Sequence, residues 1–159
     1  MLYPSLLLGA DKLPITGDER YIGFKKIQKF AFVYVSAQGS AAEIGINEDE
    51  YTDRLRYQFK TAIAGMDIEK PSHLSEIMAD ISEAAKYGVL IVKVTTVNDN
   101  YPIPYHIDFY AGSLANYRIY NMTLLGYNNE YNVPRIVREK IQEFMEKFAI
   151  VFLKARAEL

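Results

Sequence analysis

The sequence predicts an α+β domain. It is one mixed sheet of about four or five strands with about three helices packed on one face, in the order β-α-β-α-β-β-β-α. Three observations predict it. Phe30–Ala37 is an unbroken run of aromatic, β-branched and small residues, apolar on both faces, as in a central strand. Two later segments alternate apolar and polar residues, the period of a half-buried strand. Three further segments repeat apolar residues at helical spacing, so each has one face to bury.

The elements follow in order. After the strand Phe30–Ala37 comes a small-residue loop, Gln38 to Ala42. Asn47-Glu48-Asp49-Glu50 opens a helix: Asn47 caps, Glu50 answers three residues later, and the acids suit the positive end of the helix dipole. Tyr51, Leu55, Phe59 and Ile63 form its apolar stripe, and Gly65 ends it. Met66–Glu69 reads as a short strand. Pro71-Ser72 opens a second helix with Leu74, Ile77, Met78, Ile81, Ala84 and Ala85 as its buried stripe, and Gly88 stops it. Val89–Val97 is a strand with Leu90, Val92 and Val94 on one face and Lys93 and Thr95 on the other. Asn98-Asp99-Asn100 turns the chain, and Pro102 and Pro104 mark an irregular start to the next strand. In Tyr105–Ala111, Ile107 and Phe109 face one way and His106, Asp108 and Tyr110 the other. Gly112–Asn116 reverses the chain, and Tyr117–Leu125 is the last strand. Pro134 begins a final helix of about 20 residues, whose apolar face runs from Ile136 to Phe152.

Composition narrows the function. The chain has 159 residues, a formal net charge of −2 and no cysteine. That length suits one domain with a real core. The charge excludes a nucleic-acid binder driven by bulk electrostatics. The missing cysteine excludes thiolate metal sites, disulfides and thiol catalysis. No apolar run approaches the ~20 residues of a membrane-spanning helix. No signature of a dinucleotide or phosphate loop, a nucleophile elbow or a zinc-protease helix is present, and the sequence calls for no cofactor and no metal.

Residues 1–23 read as an N-terminal arm or a signal remnant, and 24–159 as the single domain. Leu6–Ala10 has the apolar and small residues that end a secretory signal, without a basic residue before it. The competing reading is an arm that packs on the domain.

Three further segments occur together. Glu43-Ile44-Gly45-Ile46-Asn47 leads from a strand into an acidic helix start. The stretch from Leu55-Arg56 to Ala64-Gly65-Met66-Asp67-Ile68 is a helix that ends in Ala-Gly and passes into a short strand. A terminal strand pair then precedes a long amphipathic helix. This pattern, over residues 24–157, resembles small exported bacterial proteins whose architecture is like the N-terminal domain of TolB and the anticodon-binding-like α/β modules of envelope lipoproteins. The inserted helix Ser72–Tyr87 departs from it. The resemblance implies a periplasmic, non-catalytic interaction module with peripheral association with the envelope, and it supplies no residue roles.

Tyrosine placement is the most informative functional signal. Seven of thirteen tyrosines lie within residues 101–131, where Asp108, Arg118 and Glu130 are the only charges. Tyrosine offers a broad contact area at low entropic cost, which suits interfaces, and it also favours strands for packing alone. If the helices cover one sheet face, the other carries Lys93, His106, Asp108 and Tyr110. Tyr117, Arg118 and Tyr120 complete the expected binding surface, for a partner protein or a second copy. His106 and Asp108, two residues apart on one strand, also admit an acid–base pair or half a metal site, or no more than a solvated face. His73, at a helix start, reads as solvated. The acidic run Glu43, Glu48, Asp49, Glu50 and Asp53 lacks the pattern of a calcium loop. The leading expectation is a periplasmic docking module. The alternatives are a small-ligand binder or enzyme using His106, Asp108 and Arg118, and a cytoplasmic structural homodimer.

Overall fold

The computed structural model describes residues 19–157 apart from residue 99. The Leu6–Ala10 expectation therefore lies outside the described residues. The fold is α+β with one four-stranded mixed sheet in the order β1-β2-β3-β4. The strands are β1 (Lys29–Gly39), β2 (Tyr87–Thr96), β3 (Ile103–Ser113) and β4 (Tyr120–Asn128). β1 and β2 run parallel, and the other two pairs are antiparallel hairpin neighbours. The parallel pair needs a crossover, supplied by α1 (Glu48–Ala62), α2 (Leu74–Ala79) and α3 (Ile81–Ala84). The closing helix α4 spans Asn132–Ala157, 26 residues rather than about 20. A 3-10 helix over Glu19–Lys26 precedes β1. No described helix is long and apolar enough to cross a membrane.

The core lies between the sheet and the α1–α4 layer. Val33, Leu90, Val92, Ile107 and Phe109 face the helices and are fully buried, as are Leu55 and Phe59 of α1 and Phe148 and Phe152 of α4. Tyr51 ties the two helices together: its hydroxyl donates to the Pro134 carbonyl at 3.1 Å and accepts from Arg138 Nη1 at 3.2 Å. The N-terminal 3-10 helix is sealed in the same way. Phe24 lies edge-on to Phe148 and Phe152, with centroids 5.7 and 5.4 Å apart. The α1 start is as expected at Asn47, whose side chain accepts from Glu50 N at 3.0 Å. The Glu50 carboxylate instead pairs with Arg54 at 3.3 Å.

Five expectations are corrected. Met66–Glu69 is no strand of the sheet but a single parallel bridge, Phe30 to Ile68. Phe30 N donates to Asp67 O and Glu69 N to Phe30 O, both at 2.8 Å, and Pro71 soon ends the contact because it has no N–H to offer. The second helix is two short ones. Asp80 adopts an extended conformation between them, and its carboxylate accepts from Ser82 N and Glu83 N, restarting the chain as a new cap. The expected stripe on these helices stays largely uncovered, with Met78 55% and Ile81 78% exposed. Gly88 lies inside β2 rather than ending a helix: a Cβ there would meet the Phe30 ring at 2.8 Å. The last strand starts at Tyr120, three residues later than expected, because a tight turn occupies the chain before it. Asn116 N donates to Ser113 O at 3.1 Å and Ser113 N to Asn116 O at 2.8 Å.

Phe148→Ala removes a buried ring and should cost about 3–5 kcal/mol. Ile81→Ala, at an exposed position, should change stability by no more than about 0.5 kcal/mol. Urea denaturation of both variants checks whether the load falls on α4 rather than on the crossover.

Candidate functional site: the helix-free face of the sheet

Because side chains alternate across a strand, everything that does not face the helices faces away from them. Register sets these outward residues in rows. Tyr34, Ile91, Tyr110 and Asn121 form one row; Ser36, Lys93, Asp108 and Thr123 the next; Gln38, Thr95, His106 and Leu125 the third. The two long helices, α1 and α4, pack on the opposite face. Lys93, His106, Asp108 and Tyr110 therefore share one surface, as expected from the alternation.

Asp108 is the centre of the middle row. It is 8% exposed, although carboxylates are normally solvated. Arg118 Nη2 donates to its Oδ2 at 3.3 Å, and Thr123 Oγ1 donates to Oδ1 at 3.0 Å. Lys93 is its cross-strand neighbour on β2. Arg118 comes from the β3–β4 turn, where its N–H donates to Asn116 Oδ1 at 3.3 Å, so the turn geometry aims it back over β3. Its guanidinium sits 4.9 Å from the Tyr110 ring centroid, and Tyr110 lies 6.1 Å from Tyr117. One arginine thus bridges a nearly buried carboxylate and an aromatic face, and Tyr117 extends that face outward.

Burial raises the pKa of the Tyr110 hydroxyl above its ordinary value; nearby Tyr34 adds to the shift and Arg118 opposes it. The wider consequence is a surface that is aromatic and polar, with its central charge already balanced.

His106 stands apart. Among the described residues its side chain forms no hydrogen bond or ion pair. It lines a shallow hollow of about 490 Å³ with Thr95, Val97, Leu125 and Tyr127. The structure therefore joins Asp108 to Arg118 but leaves His106 outside their network. Among the described residues, no three His, Asp or Glu side chains converge as a metal site requires.

Tyr120 is displaced from the expected surface. It lies on the helix-facing side of β4, with its ring 6.3 Å from Phe109 and 5.8 Å from Phe148. The sequence reading also omitted Leu125 and Tyr127 from the surface, though they are 74% and 69% exposed. Strict alternation outward from Asp108's neighbour Thr123 would have found both. His73 is solvated as expected, near Glu76 at the start of α2.

A second depression, about 600 Å³, lies between α1 and α4, lined by Tyr57, Gln58, Met145 and neighbours. It shares no residue with the sheet face.

Comparison with family models, with curated proteins and with solved structures found no match.

The raised Tyr110 pKa predicts an alkaline effect. The folded chain holds this proton to higher pH than the unfolded chain does, so the stability it confers is present below about pH 10 and lost as pH rises above that value. Tyr51, whose pKa burial also raises, acts in the same direction. Tm followed from about pH 8 to about pH 11 should fall, and Tyr110→Phe should flatten the fall without abolishing it. An unchanged slope in Tyr110→Phe would place the effect elsewhere.

Proposed function

We propose that this chain is a non-catalytic protein-interaction module of the cell envelope, periplasmic or otherwise exported, which docks a partner protein through the helix-free face of its sheet. One observation carries the docking reading. The face holds an Asp108–Arg118 pair with the Arg118 guanidinium over the Tyr110 ring and Tyr117 beside Tyr110, and it also carries exposed Leu125 and Tyr127. Tyrosine and arginine are the residue types that anchor protein interfaces, because each combines a broad contact surface with hydrogen-bonding groups. A balanced carboxylate favours recognition over proton transfer, since Asp108 already accepts from two donors and, among the described residues, bonds to no histidine.

The exported setting is supported by the Leu6–Ala10 run and by the resemblance to envelope modules of the TolB type. The hollow beside His106 is a natural seat for an apolar side chain of the partner, with Val97, Leu125 and Tyr127 as its rim.

The test is capture from soluble and membrane fractions of the native host, comparing the wild type with the Tyr110→Ala/Tyr117→Ala double variant. Circular dichroism first confirms that the variant is folded. The expected outcome is a specific partner whose affinity falls by about tenfold or more in the variant, with cross-links to the partner mapping near Arg118. Equal capture by both proteins sinks the reading, and so does unfolding of the variant, which would make these tyrosines structural.

A further inference from the structure

The charges of the helix-free face are not evenly met. Its rows place Lys93 opposite Ser36 of β1 and Asp108 of β3, and diagonal to Tyr34 and Tyr110. Lys93 is half-buried, so part of its hydration is lost. Lys29 and Lys140 are half-buried too, and each holds a carboxylate, Glu69 at 2.8 Å and Glu143 at 2.5 Å. Lys93 holds none: among the described residues its ammonium group makes no hydrogen bond or ion pair. The carboxylate across from it, Asp108, accepts instead from Arg118 and Thr123. At 8% exposure it shows little negative charge to anything that docks.

Hydrogen-bond donors are therefore in surplus here. The Arg118 side chain is 54% exposed, and its one bond to a carboxylate uses Nη2 alone, whereas a guanidinium carries five N–H donors. The Tyr34 and Tyr110 hydroxyls have no hydrogen-bond partner among the described residues. The β1 edge supplies no acceptor, because α1 closes it. Glu48 Oε1 accepts from Ala37 N at 2.7 Å, Thr52 Oγ1 accepts from Val35 N at 2.9 Å, and Arg56 Nε donates to Val33 O at 3.0 Å. Lys93 is thus reached over the face, and whatever reaches it must bring the negative charge.

We infer that the occupant of this face is an acidic protein segment, which sets an aspartate or glutamate carboxylate against Lys93 and the exposed side of Arg118. The inference rests on the docking reading above and names the chemistry of its partner. An ionised carboxylate only accepts hydrogen bonds, at about four lone-pair sites, which suits a face of ammonium, guanidinium and phenol donors. The number of cations selects protein over other polyanions. Anionic membranes are held by clusters of about 4–8 basic residues, and nucleic acid by a comparable series of phosphate contacts. The outward rows and the β3–β4 turn bring Lys93 and Arg118 alone, on a chain of net charge −2. That pair matches one or two side-chain carboxylates. The contact at Lys93 is the more sensitive one, since a half-buried charge is screened less than an exposed one.

The test uses the full chain and three synthetic peptides, alike except that a central leucine is flanked by glutamate, glutamine or lysine. Fluorescence anisotropy reads their affinities. The glutamate peptide should bind at least about tenfold more tightly than the glutamine peptide, the lysine peptide should bind more weakly still, and added salt should narrow the gap. Lys93→Gln should cancel the preference and Lys93→Arg should keep it, with circular dichroism confirming each fold. Lys93→Met, which keeps the length without the charge, answers the same question if Lys93→Gln does not fold. No glutamate preference overturns the inference, as does a preference that loss of the Lys93 charge leaves intact, or binding of none of the three. Binding to vesicles of anionic phospholipid in preference to the glutamate peptide overturns it as well. A partner lost by Tyr110→Ala/Tyr117→Ala but held equally by Lys93→Gln leaves the docking reading standing and sinks this one. Equal capture by the tyrosine variant, with the glutamate preference intact, sinks the docking reading and leaves acidic recognition at Lys93.

Discussion

Phe148 meets five other rings. Its neighbours are Phe24, Phe30, Phe109, Tyr120 and Phe152, with centroids 5.5 to 6.5 Å away. They come from the N-terminal 3-10 helix, β1, β3, β4 and α4 itself, so one side chain is common to five elements. Each such pair adds about 0.5–1.5 kcal/mol beyond simple burial. The cluster commits α4 to one side of the sheet, and Phe59 of α1 joins the same side through Phe30, with centroids 4.7 Å apart. Phe109 belongs to the cluster and its chain neighbours Asp108 and Tyr110 point the other way. Anchoring the one holds the other two in place.

That arrangement explains how a nearly buried carboxylate is tolerated on an open face. Asp108 loses water on the sheet but gains Arg118 and Thr123. A charge removed from water without partners would be costly, and a carboxylate with two donors is not left in that state. The rigid turn between Ser113 and Asn116 places the arginine where it can reach. The surface is therefore held in place by the strands and the turn.

Much of this was legible in the sequence, and the failures have physical reasons. The two-residue period correctly placed Lys93, Thr95, His106, Asp108 and Tyr110 on one face, because a strand buried on one side must alternate. It failed at Tyr120, because the turn consumed Tyr117 to Ile119 and the strand began later. The stripe Leu74, Ile77, Met78 and Ile81 is a true amphipathic pattern, but periodicity records that a face could be buried, not that a neighbour exists to bury it. The helix break at Asp80 did carry a signal. Asp80-Ile81-Ser82-Glu83 has the form of a capping box, and the Asp80 side chain caps there. The shielding of β1 by Glu48, Thr52 and Arg56 was not readable. Those residues look like an ordinary polar helix face until the angle between α1 and the sheet is known.

The position of α4 along the chain governs the order in which the molecule can be completed. During synthesis the whole sheet emerges before residues 132–157 do, so its inner face waits in water for the cover that buries Phe30 and Phe109. The final turn then fastens the start of the domain: Arg156 Nη1 donates to the carbonyls of Phe24 at 3.1 Å and Ile27 at 2.5 Å. Until α4 packs, the inner face of the sheet is uncovered apolar surface, the kind that is prone to association. The fold is in effect closed by a clasp between its first and last described elements.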